Sequence, residues 1–466
     1  MKPSKYQLAI YDFVKNSTGN AIIEAVAGSG KTTTILDAMN YVPSSARCIF
    51  IAFNKHIADN LADIVPLGAE ARTIHSLGLQ IIRNERKVFV KQNKVFTTLY
   101  YDLGIKKNVN AYIKMISLMK SLGYLAWRDP EEIADAYNIK CDDWSHGRPL
   151  WDALLKKQTI DFDDMVWQPI YKSLTFPQYD FVFVDESQDL SPVQIDFVYR
   201  LGGRCILVGD TKQAIYAFRG ADTKAMESAE RIFKATKLPL SICYRCPKSI
   251  VEYVKQFVPE IEPFESQEEG TIETRPFDPK VGEFVLCRTT APLIGACLDQ
   301  IRLGVPAKVR GRDIGDGLSA FIKDLNSSDI ECLLTCLDNI TLPRDPEKAL
   351  VLNDKIETVK VLAEGCDTLD AIYARIEDLF SDTSDDLTIT FSTVHKAKGL
   401  ECNVVWILRP DLMPHPLGGP QEENIKYVAY TRAKKCLYFV GTSTSDGDSR
   451  SGGVDTSALP TACKNK

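Results

Sequence analysis

Short, unbroken apolar runs punctuate the chain, and each ends at residues able to do chemistry. Ala21 to Ala25 leads into the glycines of AVAGSGKTT, and CIFIAF ends at Phe53, Asn54 and Lys55. Phe181 to Val184 stops at Asp185-Glu186, and Cys205 to Val208 stops at Gly209-Asp210. Runs of this kind predict central strands of a parallel sheet, buried on both faces. Open α/β sheets bind ligands outside the carboxyl ends of such strands. Between the runs the spacing becomes helical. Ile35, Leu36, Met39 and Val42 follow the first run, and NAYIKMISLMKSLGYL reads as a helix. Leu369, Ile372, Tyr373, Ile376, Leu379 and Phe380 mark an amphipathic helix opened by a cap at Asp367. The fold class is therefore α/β.

Composition narrows the class. With 466 residues, 45% hydrophobic and 25% charged, the chain divides into about three or four units of ~100–200 residues. No apolar run reaches the length of a membrane span, and the first residues lack a signal-peptide core, so a soluble, intracellular protein is expected. The expected location is the cytoplasm, or the host cytoplasm if the source is a phage. Thirteen cysteines, an odd number, fit reduced thiols. Cys243 and Cys246 form the C-x-x-C, with no second pair at zinc spacing. A net charge of −6 excludes a uniformly basic coat but leaves room for a local basic groove. Residues 442–466, rich in Ser, Thr, Gly and Asp, read as a disordered tail.

AVAGSGKTT fits the phosphate-binding pattern G-x-x-x-x-G-K-[ST] except at Ala25, which stands where the first glycine would be. Strand, loop and helix are all in place around it. Gly28 and Gly30 let backbone N–H groups face an anion, Lys31 reaches the β and γ phosphates, and Thr32 offers a hydroxyl to Mg²⁺. At the end of the next strand, Asp185 suits Mg²⁺ and Glu186 suits the proton of an attacking water. Gln213 lies just past a third strand, where it can sense a γ-phosphate. Tyr216, Phe218 and Arg219 follow, and aromatic rings interleaved with arginine suit stacking on unpaired bases.

These stretches, taken in order, resemble the superfamily 1 DNA helicases of the UvrD/Rep type, and within them the F-box DNA helicase branch and its phage relatives. The resemblance runs from Gln7 in YQLAI through AVAGSGKTTT, IAFNKHIADNL, ARTIHSLG, IDFDDMV, VFVDESQDLSPVQ, VGDTKQAIYAFRGA, LSICYRCPKSI, FVLCRTTA and STVHKAKGLECNVVWIL to YVAYTRAKKCLYFVG, residues 7 to 441. It implies that Gln7 reads the adenine edge, that Tyr244 stacks on the ring, and that Gly399 and Glu401 serve the nucleotide, Glu401 at a ribose hydroxyl. Ala27, Gly28, Ser29, Gly30, Lys31, Thr32 and Thr33 would cradle the phosphates. Arg245 and Arg432 would bring charge to the γ-phosphate from a second motor domain. Phe53, Asn54 and Lys55, together with the two T-x-H pairs Thr73/His75 and Thr393/His395, would contact the DNA strand.

The implied architecture is two RecA-like parallel-sheet motor domains with two mainly helical accessory insertions. Residues 1–79 and 176–238 would form the first motor domain and 239–318 with 387–441 the second. The first insertion spans 80–175 and would touch DNA, although the basic residues in IIRNERKVFVKQNK read by default as a solvated face, and a reduced second one spans 319–386. The expected activity is ATP- and Mg²⁺-dependent 3′ to 5′ translocation on single-stranded DNA, with unwinding at junctions with duplex. The chain would act as a monomer, alone or with replication or recombination proteins. A small-molecule kinase is disfavoured by the carboxylate pair and the distal arginines, and a helicase–nuclease by the lack of spare chain. A protein-stripping translocase that unwinds little remains the alternative.

Overall fold

The computed structural model describes residues 2–441 apart from 63, 67, 138, 216–223, 383–386, 417 and 420. The chain forms two compact units, residues 1–245 with 258–266, and residues 246–257 with 267–466. The first unit holds a six-stranded parallel sheet. Its strands are β1 (Ala21–Ala25), β2 (Cys48–Ala52), β3 (Ala69–Thr73), β4 (Phe181–Val184), β5 (Arg204–Gly209) and β6 (Thr236–Leu240), in the spatial order β3-β2-β4-β5-β1-β6. Nucleotide loop and acidic strand are thus separated by β5 alone. Both insertions and crossovers leave the strand carboxyl ends on one edge, as an all-parallel sheet requires.

Alternation along each strand sorts side chains to two faces. Ile23, Phe183, Ile206 and Val208 pack under α1 (Lys5–Asn16) and α2 (Lys31–Met39). Ile22, Val182, Val184 and Leu207 face the other way, into a core shared with α3 (Ile74–Glu85), α4 (Val109–Ser121) and α5 (Phe162–Tyr171). The stretch expected as a first accessory domain, 80–175, is therefore helical and continuous with the core of the first unit. α3 and α5 cross closely at Gly78, where a Cβ would come within 1.9 Å of the Met165 carbonyl oxygen.

Charge is also buried in this core. Lys94 Nζ lies 2.6 Å from Asp164 Oδ2, and Lys120 Nζ lies 2.9 Å from Asp164 Oδ1 and 3.1 Å from Asp161 Oδ2. The aspartates also cap α5 reciprocally, Asp164 N–H donating to Asp161 and Asp161 N–H to Asp164. The IDFDDMV stretch thus does structural work as a capping box closed over two lysines. Burial alone would raise the Asp164 pKa, but Lys120 and Lys94 hold it down to about 2.

The second unit has a seven-stranded parallel sheet. Its strands are β7 (Thr271–Arg275), β8 (Phe284–Cys287), β9 (Ala307–Arg310), β10 (Phe380–Ser381), β11 (Ile389–Thr393), β12 (Cys402–Ile407) and β13 (Ala433–Val440), in the order β7-β13-β12-β8-β11-β9-β10. Residues 319–386 supply helices that share one core with β8, β9 and β11. Two expectations shift. β6 and the residues up to Arg245 belong to the first unit, beyond the boundary expected at 238. The amphipathic helix Leu369–Leu379 is capped by Thr368, which accepts from Ala371 N–H at 3.2 Å, and not by Asp367. Among the described residues no helix is long and apolar enough to cross a membrane.

Removing one partner from the buried ionic cluster leaves a carboxylate without its cation. Lys120→Met is expected to destabilise the first unit by about 3–5 kcal/mol, with part of the loss recovered in Lys120→Met/Asp161→Asn. Denaturant unfolding followed by tryptophan fluorescence checks this, since four of the five tryptophans, Trp127, Trp144, Trp151 and Trp167, lie in that unit. Equal unfolding midpoints for Lys120→Met and wild type would contradict it.

Candidate nucleotide and strand site

β1 delivers the phosphate loop. Ala25, the residue at odds with the pattern, is the last residue of the strand, paired with Leu240 and buried in the core. An extended backbone holds its methyl group without strain, so no glycine is required there. The turn itself needs glycine. Gly28 has φ +69°, and a Cβ on it would lie 2.5 Å from Arg245 Cβ. Gly30, at φ +75°, precedes Lys31 and offers no side-chain cap, so the first N–H groups of α2 remain for an anion. Among the described residues Ser29 Oγ is buried without a hydrogen-bond partner, as expected of a group meant for phosphate. The chain after β6 runs alongside the loop. Val26 N–H donates to the Leu240 carbonyl, and Tyr244 N–H donates to the Gly28 carbonyl at 2.8 Å. This places Tyr244 and Arg245 at the loop from within the first unit, whereas the sequence reading assigned Arg245 to the second.

Gln7 and Tyr244, the residues expected to recognise the base, meet at α1. Gln7 Oε1 accepts from Ser4 N–H at 2.9 Å and from Tyr244 OH at 3.4 Å, while its Nε2 donates to Thr34 Oγ1 at 3.1 Å. One amide proton is left to read an acceptor. The Tyr244 ring packs against Phe264 with centroids 4.9 Å apart.

At the other end of the loop the carboxylates meet the lysine. Thr32 Oγ1 donates to Asp185 Oδ2 at 2.5 Å, and Lys31 Nζ lies 3.6 Å from Glu186 Oε1 with the lysine side chain only 11% exposed. Burial, reinforced by Glu186, pushes the Asp185 pKa up to about 6, and burial does the same to Asp210. Burial would lower Lys31, but Glu186, Asp210 and Asp185 together raise it. Three carboxylates act on Lys31, with the Arg245 guanidinium as a second cation, which still leaves an excess of negative charge beside a hydroxyl and a carboxylate oxygen. That oxygen-rich donor set fits a hard divalent cation such as Mg²⁺.

One residue escaped sequence reasoning. Gln188 Nε2 donates to Glu186 Oε2 at 2.5 Å, and its Oε1 accepts from Asp210 N–H at 3.0 Å. Gln213 Nε2 in turn donates to Asp210 Oδ2 at 2.7 Å. Gln188 lies directly on Gly209, where a Cβ would approach its Oε1 to 2.7 Å. Glu186 has φ +51°, a left-handed conformation that costs energy for a non-glycine residue and aims its carboxylate. Gln188 thus links Glu186 to Asp210, which in turn holds Gln213, and the two ends of its amide cannot be exchanged.

The strand-contact candidates divide. Phe53, 48% exposed, and His75 line a pocket of about 210 Å³ together with Asp185, at the carboxyl ends of β2 and β4. His75 meets Phe162 edge-on, and burial lowers its pKa. Asn54 and Thr73 have structural work. Asn54 accepts from Ile57 N–H ahead of the helix Lys55–Ala62, and Thr73 caps α3 by accepting from Ser76 N–H. In the second unit Thr393 holds the corresponding place before the helix Val394–Ala397 without that cap bond, and His395 follows it. Arg432, also there, is buried, with Nε on the Val428 carbonyl at the end of α6 (Glu422–Tyr430) and Nη1 on the Leu400 carbonyl between Gly399 and Glu401. Glu401 pairs with Lys434 at 3.5 Å. Tyr216, Phe218 and Arg219 lie outside the described residues.

Comparison with known proteins gives the same two-part division. An AAA domain matches residues 8–219 and a UvrD-like helicase C-terminal domain matches residues 313–444. F-box DNA helicase 1 of Gallus gallus is 24% identical over 503 positions, covering 89% of this chain and 46% of its own length. F-box DNA helicase protein 1 of Schizosaccharomyces pombe is 25% identical over 512 positions, covering 91% and 55%. ATP-dependent DNA helicase PcrA of Bacillus subtilis is 27% identical over 285 positions, covering 53% and 38%. The chain spans about half the length of the F-box relatives it matches. Two parallel sheets, a phosphate loop facing an acidic strand end and paired matches in the right order agree, and the chain belongs to the UvrD-like helicases of superfamily 1.

Proposed function

We propose that the chain is an ATP-driven DNA motor that hydrolyses ATP in response to single-stranded DNA, moves 3′ to 5′ along it and opens duplex at junctions. The observation that carries this reading is the meeting of Lys31, Thr32, Asp185 and Glu186 at one end of the phosphate loop. Lys31 and the N–H groups at the start of α2 would bind the β and γ phosphates, Thr32 and Asp185 would hold Mg²⁺, and Glu186 would take the proton of the attacking water. When bound, the cation supplies charge neutralisation at the phosphates. Gln7 and Tyr244 would hold the base, Gln213 and Arg245 would answer to the γ-phosphate, and Phe53 and His75 would meet the strand. The assignments of Gly399, Glu401, Arg432, Thr393 and His395 rest on the family resemblance, and the names of the relatives support DNA as the substrate.

The direct test measures ATP hydrolysis with and without single-stranded DNA, beside strand displacement on 3′-tailed and 5′-tailed duplexes. Stimulation with displacement from the 3′ tail alone is the expected result. Stimulation without displacement would replace the helicase with a translocase or protein-stripping motor, and no stimulation would remove DNA from the reading.

Lys31→Ala is expected to abolish hydrolysis, and normal turnover would sink the nucleotide assignment. Glu186→Gln should lower kcat by about 10²–10⁴-fold while retaining ATP binding in equilibrium titration. Gln188→Glu places a carboxylate against Glu186. Its kcat is expected to fall about tenfold or more with KM for ATP little changed, whereas unchanged steady-state kinetics would show that Gln188 does not position the base.

A further inference from the structure

The segment 94–107 carries an aromatic surface that the nucleotide site does not use. The helix Lys94–Thr97 runs into a turn of π-helix, Thr98–Asp102. Such turns are rare and frequent at functional sites. The wider turn sends Leu99 fully into the core while Tyr100 and Tyr101 follow on the outside. Phe96 and Tyr100 stack with centroids 5.4 Å apart, and Tyr101 stands edge-on to both, at 6.2 and 5.1 Å. Tyr101 is 71% exposed. Phe96 and Tyr100 are half-buried and back the exposed Tyr101 ring, and a large ring facing water on such a backing points to a partner.

Charge says which partner. Lys106 Nζ lies 5.4 Å above the Tyr100 ring, and Lys107 follows it in the chain. The acid in the turn, Asp102, is paired with Lys157 at 2.5 Å. Just upstream, Phe89 is a second exposed ring with Lys87 over it at 5.8 Å, and Lys91 follows. An exposed Tyr101 ring near lysines matches the two components of an unpaired nucleic-acid strand, bases that stack and phosphates that attract cations. The platform is also rigid. The buried Lys94–Asp164 ion pair ties the start of the segment to α5, so little order would have to be created on binding.

We propose that Tyr101, backed by Phe96 and Tyr100 and accompanied by Lys106 and Lys107, forms a stacking platform for unpaired bases of a nucleic-acid strand. The proposal rests on the DNA-acting reading above and adds to it a specific stacking contact within the stretch expected as the first accessory domain.

Wild type, Tyr101→Ala and Tyr101→Phe, each as the full chain, would be titrated by fluorescence anisotropy with labelled oligothymidylate and with a blunt duplex. Tyr101→Ala is expected to weaken oligothymidylate binding about fivefold or more, Tyr101→Phe to restore it, and the duplex affinity to stay level across the three. Equal oligothymidylate affinity for wild type and Tyr101→Ala would overturn the platform and leave the motor reading intact. Equal loss on duplex and oligothymidylate would also overturn it, in favour of a general electrostatic surface. If wild type itself failed to bind oligothymidylate, the motor reading would fall and take the platform with it. As an independent readout, a Tyr101→Trp substitution should show indole fluorescence quenched by oligothymidylate, and binding without quenching would refute base stacking.

Discussion

One lysine surrounded by three carboxylates is the constraint on which the nucleotide site depends. Lys31 is nearly out of water, and Glu186, Asp185 and Asp210 stand around it. Desolvated carboxylates in excess of cations are costly, which is why Asp185 and Asp210 are pushed up to about 6. The imbalance is tolerable because the surrounding sheet fixes every participant. β1 places the loop, β4 places Asp185 and Glu186, and β5 places Asp210 and the Gln188 acceptor bond. In the proposed nucleotide site, this charge would be preorganised for a cation together with the phosphates that accompany it. The strained backbone at Glu186 belongs to the same economy, stability being given up where geometry matters most.

The second buried ionic group shows the contrast. Lys94 and Lys120 face Asp161 and Asp164 in direct ion pairs, with Asp163 a third carboxylate beside Lys120, and Asp161 and Asp164 also close a helix cap on one another. Little in that cluster is left to bind anything, and its position in the middle of the helices packed on β4 suits a role in fixing their arrangement. What distinguishes this cluster from the proposed nucleotide site is that Asp161 and Asp164 are consumed by direct ion pairs and a helix cap, although both groups lie deep in the same unit.

Much of this was legible in the sequence because strand, loop and helix alternate in register with the chemistry. Phe181 to Val184 is β4 residue for residue, and the phosphate loop lies where the apolar run stops. What was not legible depends on contacts across the chain. Gln188 meets Asp210 twenty-two positions later, and Arg245 reaches Gly28 because the residues after β6 follow the loop edge. No local spacing encodes either fact. The first-domain boundary was missed for the same reason, since a strand pairing decides it. The cap at Thr368 was missed by one residue because Asp367 and Thr368 offer the same kind of oxygen and only backbone geometry chooses between them.

The T-x-H stretch combines structural work with a proposed strand contact. Thr73 is consumed in capping α3, so its hydroxyl is directed at Ser76 N–H. That cap fixes the first turn of the helix, and His75 is the second residue of that turn. The imidazole therefore enters the pocket that also contains Phe53 and Asp185. The wall offered to a strand and the carboxylate offered to the cation are thus built from adjacent strand ends, β2 and β4, paired in register from Cys48 to Ile51. In the proposed motor, sensing the strand at Phe53 and His75 and arranging the hydrolytic carboxylates would need no long relay, because a shift of one wall of this pocket is a shift beside Asp185.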